Sequence, residues 1–207
     1  MRIIGFVGLP GSGKSVASNV ARDMGIEVLV MGDVIRQEAA RLGLEPIDQN
    51  LGRIGNQLRA IEGPAAIAKR TMENAIATGK DMVVIDGLRS KDEADFFRDN
   101  TSEFHLIHIC APLDARLKWL EARGRSDDPG QGSTADQKII ASCLEPGRKV
   151  AEALEERECR ELSWGMSEAM KTSDLKLRND GERDEFRKCV KQLLSNLSGQ
   201  RRFGDER

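Results

Sequence analysis

The sequence lacks the marks of several protein classes. It has four cysteines, Cys110, Cys143, Cys159 and Cys189, and no C-x-x-C pair. A zinc knuckle or a disulfide framework is therefore not indicated, and Cys110, at the end of an apolar run, reads as an ordinary buried thiol. The two histidines, His105 and His108, lie three apart on an expected strand, so they point to opposite faces and cannot chelate one metal together. No apolar run approaches the roughly 20 residues that span a bilayer, and no secretory leader is evident. The expectation is a reduced, soluble, cytoplasmic protein with no membrane partner. A charge excess of one sign is also missing. The 32 Lys and Arg residues face 34 Asp and Glu, a formal net charge of −2, which excludes a global pull toward nucleic acid while leaving room for a local basic cleft. There is no internal repeat and no low-complexity tract. At 207 residues the chain suits one compact domain, working as a monomer or a small homo-oligomer.

What the chain does contain is a phosphate-binding loop. Gly8, Leu9, Pro10, Gly11, Ser12, Gly13, Lys14 and Ser15 match G-x-x-x-x-G-K-[ST] in full. The apolar run Arg2–Val7 before it suits a buried strand, and the stretch from Val16 to Arg22 after it suits a helix. In that setting the glycines let backbone N–H groups converge on phosphate oxygens, and the helix N-terminus adds partial positive charge. Residues Gly8 to Val16 are the expected nucleotide-binding segment. Lys14 would reach the β- and γ-phosphates and Ser15 would ligate Mg²⁺, so the cofactors expected are ATP and Mg²⁺.

Further apolar runs predict strands at 26–31, 81–86 and 104–110, with a weaker one at 174–178. Helix-compatible segments alternate with them. The predicted fold is α/β, a three-layer phosphate-loop architecture on a mainly parallel five-stranded sheet. About fifty residues separate Met31 from Asp81, enough for three helices near 33–42, 51–61 and 64–78, read as a protruding insertion. A second long gap opens on the polar stretch after Arg123 and continues with charged helices near 134–144 and 148–163. A final helix near 182–197 carries a core-facing stripe, and 198–207 reads as a flexible tail. Residues 1–197 thus form one domain, with an acceptor-binding insertion at about 32–78 and a lid at about 123–163.

Asp86 ends an expected strand, where an acidic residue can hold the Mg²⁺ water shell. Residue 87 is Gly rather than the Glu of a water-activating ATPase, which weakens a motor-type or AAA-type reading, and the absence of N-K-x-D disfavours a GTPase. Asp33, at the end of the second strand, could orient Mg²⁺ or an acceptor, and Arg36 sits one helical turn on; alone, such a pair is usually a surface ion pair.

Four segments carry a resemblance. Gly32-Asp33-Val34-Ile35-Arg36 resembles the G-D-x-[LI]-R signature of adenylate kinases and related nucleoside monophosphate kinases. Asp86-Gly87-Leu88-Arg89 resembles their D-G-[FY]-P-R segment, and Arg123-Gly124-Arg125-Ser126-Asp127-Asp128 looks like their mobile lid. Glu161-Leu162-Ser163-Trp164-Gly165 is similar to a segment of adenylate-kinase-related proteins typical of archaea. The resemblance implies Lys14, Arg89, Arg123 and Arg125 as catalytic residues, Ser15, Asp33 and Asp86 at the metal, and Asp33, Arg36 and Arg89 at the acceptor. It implies transfer from Mg·ATP to a small phosphate-bearing acceptor such as a nucleoside monophosphate. Dephospho-coenzyme A kinase is an enzyme rival. A slow ATPase serving ribosome assembly, with a nucleic-acid or ribosomal partner, is a less favoured one. The chain departs from the family in lacking the proline of D-G-[FY]-P-R, in having no glutamine where adenylate kinases read AMP, and in a longer 129–160 region.

Overall fold

A computed structural model describes residues 1–123 and 146–199, apart from the side chains of Arg123 and residues 146–149. In chain order the elements are β1 (Arg2–Val7), α1 (Lys14–Asp23), β2 (Glu27–Val30), α2 (Met31–Arg41), α3 (Asp48–Glu62), α4 (Ala66–Ala77), β3 (Met82–Leu88), α5 (Lys91–Asn100), β4 (Glu103–Cys110), α6 (Leu113–Arg123), α7 (Pro146–Ser163), α8 (Met166–Lys171), β5 (Leu175–Arg178) and α9 (Arg183–Gly199). The expected helix at 134–144 lies outside the described residues.

The strands form one sheet in the order β2-β3-β1-β4-β5, and every neighbouring pair is parallel. The fold is a three-layer α/β sandwich. Alternation along the strands sends side chains to both faces, and both are covered. Ile3, Val7, Val83, Ile85 and Leu106 pack under α2 to α5 and α8, with Met31, Ile54, Ile67, Phe97 and Met166 from the helices. On the other face Ile4, Phe6, Val84, Ile107 and Ile109 meet Ala17 and Val20 of α1 and Phe186, Val190 and Leu194 of α9. The continuous apolar runs of β1, β3 and β4 follow from this double burial. The edge strands β2 and β5 are only half-buried or exposed.

Four boundaries depart from the sequence reading. The second strand stops at Val30, and Met31 is already the first residue of α2, so sheet and helix join without a loop. The three helices α2 to α4 fill the expected insertion, but Ile54, Leu58 and Ile67 belong to the same buried cluster as β1 and β3, so their apolar faces continue the main core. Pro146 opens α7 instead of separating helices; its missing N–H costs nothing at the first helical position. Ser198 and Gly199, expected in the flexible tail, are the last turn of α9, and residues 200–207 lie outside the described set. Among the described residues no helix is long and apolar enough to cross a membrane.

Asp86 is not the strand's end. β3 runs on to Leu88, and its register with β1 slips, Phe6 facing Asp86 and Val7 facing Leu88. Gly87 is the extra residue, at φ 93. An L side chain is strained in that conformation, so this bulge has no place for a glutamate after Asp86. The loop after β1 emerges at the carboxyl ends of the strands, between β3 and β4. In open parallel sheets that crevice is where ligands bind.

Candidate functional site

The phosphate loop is wedged against its surroundings. A Cβ on Gly8 would come 2.2 Å from the Ile109 carbonyl oxygen. A Cβ on Gly13, which also has φ 107, would come 2.3 Å from Nδ2 of Asn179. The Asn179 amide donates to the Ser12 carbonyl at 3.0 Å, tying the loop to the turn between β5 and α9. From the other side the buried Arg116 of α6 donates to the Pro10 carbonyl at 3.3 Å and also pairs with Glu158 of α7. Neither Asn179 nor Arg116 was singled out from sequence as part of the site. Nothing local in the sequence marks either as a loop clamp.

Three observations fit this loop to a polyphosphate. Gly13, the N-cap of α1, offers no side chain to the first-turn N–H groups, and that turn carries no acidic residue, so the positive end of the helix faces outward. The Ser12 hydroxyl is buried with no hydrogen-bond partner. Lys14 is half-buried, with Nζ donating to the carbonyls of Gly8 and, at 3.1 Å, Leu9. Burial pushes its pKa down from 10.5 to about 8; Asp86 and Glu161 pull it up, and Arg89 and Arg157 add to the lowering. A bound polyphosphate would restore the ammonium form. Triphosphate binding should therefore take up a proton as the pH rises through about 8 and almost none near pH 6.5, read by calorimetry in buffers of different ionisation enthalpy. Uptake that does not change across this range would contradict the desolvated-lysine geometry.

Asp86 is buried, and its Oδ2 accepts from Ser18 Oγ at 2.7 Å. Ser15 and Asp86 both line a cavity of about 890 Å³ that runs from the loop to Arg36 and Arg89 on one side and to Trp119 and Asp180 on the other. Among the described residues no group of three His, Cys, Asp or Glu side chains could hold a metal alone. One hydroxyl and one carboxylate beside a phosphate site match the sparse protein ligation of Mg²⁺. Asp33 does not join them. Its side chain is 56% exposed and holds Arg36 in an i,i+3 ion pair at 2.7 Å, as the plain surface reading has it. Arg36 lines the cavity, Asp33 does not.

Arg89 does enter the cleft, through a partner the motif reading did not name. Its Nε lies 3.1 Å from Oε1 of Glu161. Its backbone N–H donates to Oε2 of the fully buried Glu93 at 2.7 Å, and Oε1 of Glu93 takes Arg59 at 2.6 Å. Glu161 is 3% exposed and also accepts from Arg157 Nε, one turn back on α7, at 2.9 Å. Burial alone would raise its pKa, but Arg89, Arg157 and Lys14 more than offset that and hold it at about 2. Arg160 donates to both carboxylate oxygens of Asp48, on α3, at 2.8 and 2.7 Å. Thus α7, expected from sequence only as a charged helix near 148–163, turns Arg157, Arg160 and Glu161 inward. Their counter-charges lie on α3 and just after β3, too far away in sequence for local patterning to show. Of the lid arginines, Arg123 ends α6 with its side chain outside the described residues, and Arg125 lies outside them entirely.

Comparison with known proteins agrees with this architecture. The family described as "AAA domain" matches residues 7–132, from the end of β1 through α6. The chain is 48% identical over 197 residues to a UPF0200 protein of Methanothrix thermoacetophila, covering 95% of this chain and 98% of the relative. It is 42% identical over 197 residues to a UPF0200 protein of Methanosarcina mazei, covering 95% of each. Among solved structures, TT1252 from Thermus thermophilus superposes with a TM-score of 0.53 at 19% identity, covering 96% of this chain and 98% of that one, a likeness of fold alone. The matched family carries the AAA description, against the expectation drawn from Gly87 that an AAA-type reading is weakened. The chain belongs to the AAA-domain family and, along nearly its whole length, to the UPF0200 proteins.

Proposed function

We propose that the protein is a Mg·ATP-dependent phosphotransferase of the nucleoside monophosphate kinase type, acting on a small phosphate-bearing acceptor. The observation that carries this reading is the convergence of Arg89 and Arg157 with Lys14 around one buried carboxylate beside the phosphate loop. Phosphoryl transfer needs in-line placement and positive charge around the spread negative charge of the transition state, and little covalent help. Lys14 and the α1 N-terminus address the donor. Arg36, Arg89 and Arg157 line the cavity on the acceptor side, and Arg123 and Arg125 would close over both from the lid. Ser15 and Asp86 would hold a Mg²⁺ ion, which when bound would supply charge to neutralise the β- and γ-phosphates.

Transfer is favoured over hydrolysis by what stands near the reacting phosphate. Gly87 cannot be the glutamate that activates water. Glu161, with a pKa of about 2, is too weak a base to take its proton. The acceptor helices at about 32–78 and the lid at about 123–163 then serve to exclude water from a single domain spanning 1–197.

The test offers Mg·ATP with a panel of nucleoside monophosphates and dephospho-coenzyme A, and follows ADP release. At least one acceptor is expected to raise turnover with ADP and phosphorylated acceptor formed one to one. Turnover that ignores every acceptor but rises with ribosomal RNA or protein would overturn the kinase reading in favour of an assembly ATPase.

A further inference from the structure

Beside the main cavity, the contact between α3 and α7 is filled by the protein's own charges. Between α3 and α7 only about 30 Å³ remains, bounded by Gly52, Arg89, Arg160 and Trp164 among others. That is room for about one water and not for a phosphate ester. The space is taken by Asp48. Its two oxygens accept from Arg160 Nη2, and Oδ1 lies 3.4 Å from Arg157 Nη1. A carboxylate on two guanidinium groups is the geometry that a phosphate would also adopt. Nε of Arg160 is buried without a hydrogen-bond partner. A Cβ on Gly52 would stand 3.0 Å from that nitrogen, so the glycine lets the guanidinium lie flat against α3.

We propose that Asp48 is an internal competitor for the acceptor: it occupies the anion seat formed by Arg157 and Arg160, and a phosphate group enters by displacing it and parting the first turns of α3 from α7. The identity of the entering group rests on the phosphotransferase reading; the seat and its occupant do not. Two features assign the exchange to Asp48 rather than to Glu161. Asp48 is the more exposed, 21% against 4% for the side chains. It also stands on a different element from its arginines, in the first turn of α3, whereas Glu161 is bonded within α7 and to Arg89. Farther along α3, Asn56 accepts from Trp164 Nε1 at 2.6 Å and Arg59 stacks over the Trp164 ring at 4.4 Å. Those contacts hold the remainder of α3 in place, so the opening is confined to its N-terminal end.

The test titrates inorganic phosphate into wild type, Asp48→Asn and the double variant Asp48→Asn with Arg160→Ala. Asp48→Asn should bind phosphate about tenfold more tightly, the scale of one charge-assisted hydrogen bond regained, and the double variant should lose the gain. Unchanged or weaker binding by folded Asp48→Asn would overturn the proposal. Wild type provides a second readout that needs no variant. Saturating phosphate should speed amide exchange at residues 48–52, and unchanged or slower exchange there would overturn it equally. If phosphate binding tightens while no acceptor is turned over in the panel, the kinase reading fails and the gate stands. If acceptors are turned over and binding does not tighten, the gate fails alone.

Discussion

Lys14→Ala is expected to lower ATP turnover by about 10³-fold or more, the scale seen when a charge that stabilises a transferring phosphoryl group is removed. The same variant should melt at the wild-type temperature or above. Lys14 is half-buried, and its desolvation holds its pKa at about 8 rather than 10.5, so the charged form is the one the fold disfavours. With the folded value below the unfolded one, that penalty is fully present below about pH 8 and is relieved as the pH rises toward 10.5. Removing the ammonium at neutral pH removes the penalty with it. Turnover assays and thermal melts on one preparation check both halves. Loss of turnover accompanied by a lower melting temperature would mean that the lysine holds the loop together rather than serving the phosphates.

Glu161→Gln should have the largest effect on stability. It leaves the shape of the side chain in place but strips Arg89 and Arg157 of the carboxylate they share in a dry site. Breaking a buried ion pair from one side typically costs about 3 kcal/mol or more. For a chain of this length that corresponds to a fall in melting temperature of about 10 °C. The sign of the pH dependence follows from the depressed pKa. A folded value of about 2 against 4.5 means the stabilisation is present above pH 4.5 and lost as the pH falls through about 2. The gap between wild type and variant should therefore be widest near neutrality and close in acid. Melts from pH 7 down to pH 3 test this, and a small gap that does not vary with pH would contradict the burial of the carboxylate among three cations.

Sequence reading reached the phosphate loop and much less of the charged cluster beside it, for a physical reason. A phosphate loop is local. Its glycines, its lysine and the flanking strand and helix lie within about twenty residues and each has a distinct chemical job, so Gly8 to Val16 could be read directly. The alternating strands also yielded a parallel sheet, though not the order that sets β3 beside β1. The charged cluster around the cavity is assembled from distant pieces. Asp48 and Arg160 meet across 112 residues, and Arg116 and Glu158 across 42. In sequence each looks like one more charge on a polar helix. Even Asp33, part of a recognisable motif, turned out to be occupied with Arg36 at the surface. Gly87 shows the opposite case. Its identity was legible as the absence of a glutamate, and the bulge at φ 93 supplies the reason.

The proposed function requires that the γ-phosphoryl group go to a second substrate and not to water. The direct measurement is the fate of γ-labelled ATP with the best acceptor from the panel, separating labelled acceptor from labelled inorganic phosphate. The predicted result is label in the acceptor, matched one to one by ADP and absent with Lys14→Ala. Label that appears as inorganic phosphate at the same rate with and without any acceptor would contradict the account.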